Sequence, residues 1–347
     1  MNTCYSQENI FYILHNKKIQ ALEKLSQHKD LISIIVAQAY RINQKGLISG
    51  ELDPEVIDFC KKNSIHLMAM VTNSNFDDKE AHLFLSNPEA QNSALVKLIE
   101  LVKKNNLYGI QFDFEMIALK DKNLLSEFYK KAAKLFHDKG YIVSFAVAPV
   151  VRDHDFPHFY QKKLYQIWQG AYDLKILNSI ADFITVMAYD QHADGTIPGA
   201  VASLSWDEEV LQYILKYLPA SKISLGIPTY SGLWYMGTSS ATKKIYTKYS
   251  TLDFETLGYI INKFKPSISW STNDNVHYTF FDYYGLNKFI FIEDASSFEA
   301  KLRLANKYKL RGISVFRIGI EDPKIWNVLS TKNNAAFKLR YLFYSQN

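Results

Sequence analysis

The segment Tyr108 to Ile117 reads YGIQFDFEMI and places three polar residues, Gln111, Asp113 and Glu115, at every second position of an otherwise apolar run. Successive side chains of a strand point to opposite faces, so Ile110, Phe112, Phe114 and Met116 would line one face and the three polar residues the other. Two carboxyl groups this close disfavour each other's ionisation, which holds one protonated toward neutral pH and suits it to donating a proton. A surface strand with its polar face in water would show the same alternation. The elements that carry the segment decide between the two.

Eight short apolar or β-branched runs recur along the 347 residues: NIFYILH (9–15), LISIIVA (31–37), IHLMAMV (65–71), LYGIQFDF (107–114), YIVSFAVA (141–148), DFITVMAY (182–189), KISLGIP (222–228) and GISVFRI (312–318). Amphipathic segments separate them, among them LDPEVIDFCKKNS with Pro54 near a helix start, NSALVKLIELVKKN, and NLLSEFYKKAAKLFHDKG, in which Gly140 is a natural helix stop. This alternation predicts an α/β fold, a (β/α)8 TIM barrel, as one domain over 1–347. Such barrels bind ligands at the C-terminal ends of their strands. The opening segment then ends the fourth strand with its polar face turned into the barrel, where an unpaired carboxylate is costly. A functional site is the expected use of that face, and a buried hydrogen-bonded network is its competitor.

One connection is too long. About 80 residues separate the seventh and eighth runs, against roughly 30 for a βαβ unit. Its aromatic stretch HYTFFDYYGLNKFIFIED predicts one or two further strands in a small α+β insertion within 231–293. The terminal NNAAFKLRYLFYSQN predicts a helix packed on the barrel.

Further motifs fall on the expected strands: Met187-Ala188-Tyr189-Asp190 on the sixth, GIPTYSG (226–232) after the seventh and GISVFRIG (312–319) on the eighth. With Phe112-Asp113-Phe114-Glu115 they resemble glycoside hydrolase family 18, the chitinase-like barrels. That family's fourth-strand pattern, Asp-Gly-x-Asp-x-Asp-x-Glu, corresponds here to Tyr108 through Glu115. The wording of FDFE, VTNSNF and MAYDQH is similar to bacterial members that resemble spore and cell-wall glycosidases.

The resemblance implies a retaining glycosidase acting on β-1,4-linked N-acetylglucosamine glycans, either chitin-type oligosaccharides or peptidoglycan, with the substrate's N-acetyl group as nucleophile. Glu115 would be the general acid and then base, Asp113 would orient the acetamido group and stabilise positive charge, and Tyr189 would donate its hydroxyl to the acetamido oxygen. Substrate contacts are expected at Gln111, Asp190, Met187 and Phe316, and at Asn73 and Tyr40 near the ends of their strands. No cofactor and no metal are implied.

Three positions depart from the family pattern. Gln111 replaces its second Asp, so Asp113 would share a hydrogen bond with an amide rather than trade a proton with a carboxyl group. Phe316 replaces its last-strand Trp, which keeps an apolar floor but loses area and the indole N–H. Tyr108 replaces the first Asp and matters less if it faces away from the cleft. A second reading therefore stays open, a chitinase-like barrel that binds sugar and cuts weakly or not at all; the presence of Glu115 favours the enzyme.

Composition sets outer bounds. Hydrophobic residues at 48% and charged residues at 22% describe a globular chain, and the 14% aromatic share suits both cores and sugar stacking. The net charge of +5 is spread in pairs such as Lys17-Lys18 and Lys103-Lys104, so no nucleic-acid partner is expected. Cys4 and Cys60 are too few for a disulfide framework and leave a single bridge open. The histidines of DHDFPH (153–158) and YDQHADG (189–195) lack a recognised ligand spacing, and no GxGxxG or GxxxxGK[ST] motif is present. No apolar run is long enough to span a membrane. MNTCYSQENI lacks the basic start and apolar core of a signal peptide, so the protein is cytosolic, leaves by another route, or has lost its signal segment. A monomer is expected.

Overall fold

A computed structural model describes residues 7–15, 18–238 and 242–331; the predicted terminal helix and Cys4 lie outside them. Eight parallel strands, Glu8–Ile13, Ile34–Ile42, His66–Asn73, Gly109–Asp113, Ile142–Val147, Phe183–Val186, Ile223–Pro228 and Gly312–Phe316, follow one another around a barrel. The first strand pairs with both the second and the last, so the barrel closes. Alternation assigns the faces. Ile10, Tyr12, Val36, Met68, Met70 and Phe183 fill the interior, while Phe112 and Phe114 face outward into an aromatic cluster with Phe84, Phe128, Tyr129 and Phe145.

The helix signals act where the sequence placed them. Asp53 caps the helix Pro54–Asn63 by accepting the Glu55 N–H, with Pro54 at the first helical position where its missing N–H costs nothing. Gly140 follows the helix Lys122–His137 with φ 78°. The fourth strand departs from expectation at its end. It stops at Asp113, and Met116 takes a left-handed backbone (φ 55°) that leaves it 36% exposed instead of on the outer face.

Between the seventh and eighth strands stands a five-stranded antiparallel sheet, Ser231–Thr238, Ile245–Leu252, Ile268–Ser271, Val276–Tyr283 and Leu286–Ile292, with the helix Phe254–Phe264. The aromatic stretch forms two of these strands; the sequence indicated no more because ISWS is only four residues long and SGLWYMGT runs on almost directly from a barrel strand. Leu233, Leu252, Leu257, Ile290 and Ile292 form its core. Glu293, just past the last of these strands, accepts a 2.9 Å ion-pair contact from Lys301 of the helix Ala295–Lys307, both side chains being buried. Ser297 Oγ adds a bond to the same carboxylate at 2.7 Å. Asp207, buried beside this pair on the helix Leu204–Ile214, is held by burial well above the usual carboxylate range. A buried ion pair of this kind adds little net stability, because desolvation of the two charges offsets their attraction. Among the described residues no helix is long and apolar enough to cross a membrane.

Candidate active site

At the C-terminal ends of the barrel strands lies a cleft of about 200 Å³. Six of the residues expected from sequence line it: Asp113, Glu115, Met187, Tyr189, Asp190 and Phe316. They are joined by Tyr12, Leu14, Gln38, Met70, Thr72, Phe76, Ala146 and Trp168, which the sequence reading did not single out.

Glu115 stands two residues beyond the strand, so its backbone needs partners from outside the ladder. Asn73, the last residue of the third strand, supplies both: its Nδ2 donates to the Glu115 carbonyl and its Oδ1 accepts the Glu115 N–H, each at 2.9 Å. The Tyr172 hydroxyl donates to the adjoining Phe114 carbonyl at 2.7 Å. Asn73 is therefore a clamp on the backbone of Glu115 and does not line the cleft, which corrects its expected role as a substrate contact.

Tyr40 is corrected as well. A bulge between Gln38 and Tyr40 sets two residues against one on the third strand, which moves Tyr40 from the inward to the outward face. It packs in the core outside the barrel, and its hydroxyl accepts from Asn105 Nδ2 at 3.1 Å, while Gln38 faces the cleft.

Gln111 lies fully buried below the cleft floor and is not a lining residue. Its Oε1 accepts from the Tyr12 hydroxyl at 2.5 Å, and its Nε2 donates to Ser144 Oγ at 3.1 Å and Thr185 Oγ1 at 3.2 Å. The hydroxyl chain continues from Thr185 to Ser314 and on to Ser224. Both amide protons are thus engaged, and the expected bond from Gln111 to Asp113 is not made. Asp113 Oδ1 is buried with no partner in the protein. Such a group is costly unless something else bonds it.

The ionisation states follow from this burial. Asp113 is held well above the usual carboxylate range by burial and then by its neighbour Glu115. Burial pushes Glu115 up to about 7; the Trp168 indole N–H, donating to Oε2 at 3.0 Å, opposes the rise, and Asp190 adds to it. Asp190 has a left-handed backbone (φ 59°), accepts from the Tyr230 hydroxyl at 2.6 Å, and is itself raised by the protein around its carboxyl group. Burial also raises the Tyr189 hydroxyl, so it remains a donor at neutral pH.

Tyr189 and Phe316 form the apolar part of the cleft, their rings stacked at 5.4 Å and 21°. Gly226, from the GIPTYSG motif, makes room for them. A methyl group there would lie 3.0 Å from the Tyr189 ring and 2.5 Å from the Val186 carbonyl oxygen. Tyr108 stacks on His66 at 3.9 Å at the opposite, N-terminal end of the strands, so its departure from the family pattern does not touch the cleft.

The two histidine-rich loops find ordinary partners: His154 bonds Asp153, and His192 Nδ1 lies 3.2 Å from the Ile197 carbonyl. Among the described residues no three His, Cys, Asp or Glu side chains gather as metal ligands. Cys60 is a buried free thiol, pushed up to about 12 by burial. Trp168 escaped the sequence reading because YQIWQG reads as amphipathic helix, where an indole signals core. Tyr12 carried a usable signal, since it alternates with Ile10 on a predicted strand, whereas Gln38 lies one residue past the predicted run 31–37. The arrangement places a carboxyl group titrating near neutrality, a second carboxyl beside it, a phenolic donor and an aromatic floor in one open cleft, the equipment of proton-transfer chemistry.

The family model described as "Glycosyl hydrolases family 18" matches residues 10–321. The uncharacterized glycosylase YvbX of Bacillus subtilis is 27% identical over 312 residues, which cover 88% of this chain and 86% of that protein. The crystal structure of the spore cortex-lytic enzyme SleL of Bacillus megaterium matches with a TM-score of 0.80 at 24% identity, covering 93% of this chain and 73% of that one. A chitinase from Chromobacterium violaceum matches with a TM-score of 0.81 at 24% identity, covering 94% and 98%.

Proposed function

The chain belongs to the glycosyl hydrolases of family 18, and from that membership and the chemistry of the cleft we propose that it cleaves β-1,4-linked N-acetylglucosamine glycans with retention of configuration. The substrates are chitin-type oligosaccharides or the glycan of peptidoglycan. The observation that carries this reading is the pairing of Glu115, with a pKa near 7, with Asp113, whose buried Oδ1 lacks a protein partner.

Each group has one task. Protonated Glu115 gives its proton to the leaving glycosidic oxygen as the substrate's acetamido oxygen attacks C1. Asp113 accepts the acetamido N–H, which supplies the missing partner for its buried oxygen and sets a carboxyl group beside the developing oxazolinium, whose positive charge favours its ionisation. Tyr189 donates its hydroxyl to the acetamido oxygen and, with Phe316, supports the apolar face of the sugar. Glu115, now ionised, then takes a proton from water that attacks C1 from the face the leaving group vacated. Two inversions at C1 give net retention. Asp190 and Met187 line the rim of the same cleft and contact the sugar.

The test is digestion of chito-oligosaccharides and of purified peptidoglycan, with products followed by mass spectrometry. Cleavage of either at N-acetylglucosaminidic bonds is expected. Binding of both substrates with cleavage of neither would replace the hydrolase with a sugar-binding barrel.

A further inference from the structure

We propose that Trp168 is a positioning residue for Glu115: its indole N–H fixes Oε1 as the oxygen that carries the acid proton, and its ring forms the wall that meets the leaving-group sugar. This rests on Glu115 being the acid of the preceding section. The indole N–H is a donor only. Because it is directed at Glu115 Oε2 at 3.0 Å, a proton on Oε2 would face another proton, so the acid form keeps its proton on Oε1. The same bond persists to the ionised carboxylate. Burial and Asp190, at the end of the sixth strand, oppose the negative charge of Glu115 and the Trp168 N–H favours it; Asp113 on its own segment, Tyr172 after the Trp168 turn and Tyr189 are themselves raised by that charge.

The indole is held firmly. It sits in a π-helical turn, Tyr165–Gln169, an irregularity common at functional sites. Gln169 Nε2 donates to the Pro149 carbonyl at 2.8 Å, and the Gly170 N–H closes onto the Tyr165 carbonyl at 2.8 Å. Gly170 is required there, since a methyl group on it would lie 2.8 Å from both the Tyr165 ring and that carbonyl oxygen.

The ring also faces a second space. An open groove of about 570 Å³, with Phe156, Tyr160, Ile197 and Trp206 among its lining residues, joins the cleft through Trp168 and Asp190. The acid must face the leaving oxygen, so the departing sugar lies on the side of Glu115, where Trp168 stands between cleft and groove.

Trp168→Phe keeps most of the ring and removes the donor. On a sugar leaving group its kcat is expected to fall between about 10- and 100-fold, the scale of a misplaced reacting group. A dinitrophenyl glycoside, whose leaving group needs little protonation, is expected to lose far less. The basic limb of the pH profile moves upward on the order of one unit, because the lost bond favoured the ionised form. Trp168→Ala is expected to raise KM as well for oligosaccharides long enough to reach the groove. An unchanged pH limb with equal losses on both leaving groups would reduce Trp168 to a structural role and overturn the proposal. Carbon NMR titration of the Glu115 carboxyl group, comparing wild type with Trp168→Phe, needs no turnover and separates this proposal from the hydrolase reading: an upward shift supports it and identical titrations overturn it.

Discussion

Glu115→Gln is expected to lower kcat on a β-1,4-linked N-acetylglucosamine oligomer by roughly 100- to 10,000-fold, the contribution of a positioned general acid and base. Glutamine keeps the size of the side chain and can still accept the Trp168 N–H, but it has no proton to transfer. The Asn73 clamp acts on the backbone alone, so the loop geometry and oligosaccharide binding should stay near wild type. Calorimetric binding beside steady-state turnover separates the two. The substitution also has a thermal signature. The Glu115 pKa rises from 4.5 to about 7 on folding, so the native state holds more protons in that window and stability falls as pH rises through it. The variant loses this share of the slope. Asp113, raised in the same direction, keeps some slope in place, so the Tm profile flattens without becoming level.

Asp113→Asn is the second large effect, a loss in kcat of roughly 100- to 1,000-fold, as for removal of a preorganised electrostatic partner. The asparagine carbonyl can still accept the acetamido N–H, yet it cannot ionise as the oxazolinium charge develops. Gln111 does not substitute for it, being a neutral amide whose N–H groups already bond Ser144 and Thr185. The pH profile supplies a second readout. Glu115 must be protonated to act as acid, so wild-type kcat/KM falls as pH rises through about 7. The rise of Glu115 comes from burial and Asp190, while Asp113 takes part of its own rise from Glu115, so the basic limb should stay close to its wild-type position in the variant. A limb displaced by about one unit would indicate that Asp113 acts through the ionisation of Glu115 and not on the oxazolinium charge.

The alternation of eight strand-like runs with amphipathic segments was enough to reveal the barrel, and the period-two pattern drew attention to Asp113 and Glu115, because a strand whose inward face must enter either a core or a cleft advertises its polar residues. It failed where backbone irregularity changes parity. One extra residue at the Gln38–Tyr40 bulge turned Tyr40 away from the cleft and left Gln38 as the last inward residue of regular parity there. The left-handed turn at Met116 ended an alternation that looked continuous. Alternation also gives direction without depth: Gln111, Asp113 and Glu115 share a face, but the amide lies a layer below the cleft in a network with Tyr12, Ser144 and Thr185. Asn73 and Trp168 act on Glu115 from 42 and 53 positions away, through hydrogen bonds that no local spacing encodes.

Substrate assistance is tested most directly by parallel digestion of a fully N-acetylated β-1,4-linked glucosamine oligosaccharide and its N-deacetylated counterpart, with the anomer of the first product read by proton NMR. Participation of the acetamido group predicts cleavage of the acetylated chain with β-anomer formed first, and no measurable cleavage of the deacetylated chain. Comparable cleavage of both chains, or an α-anomer formed first, would contradict it.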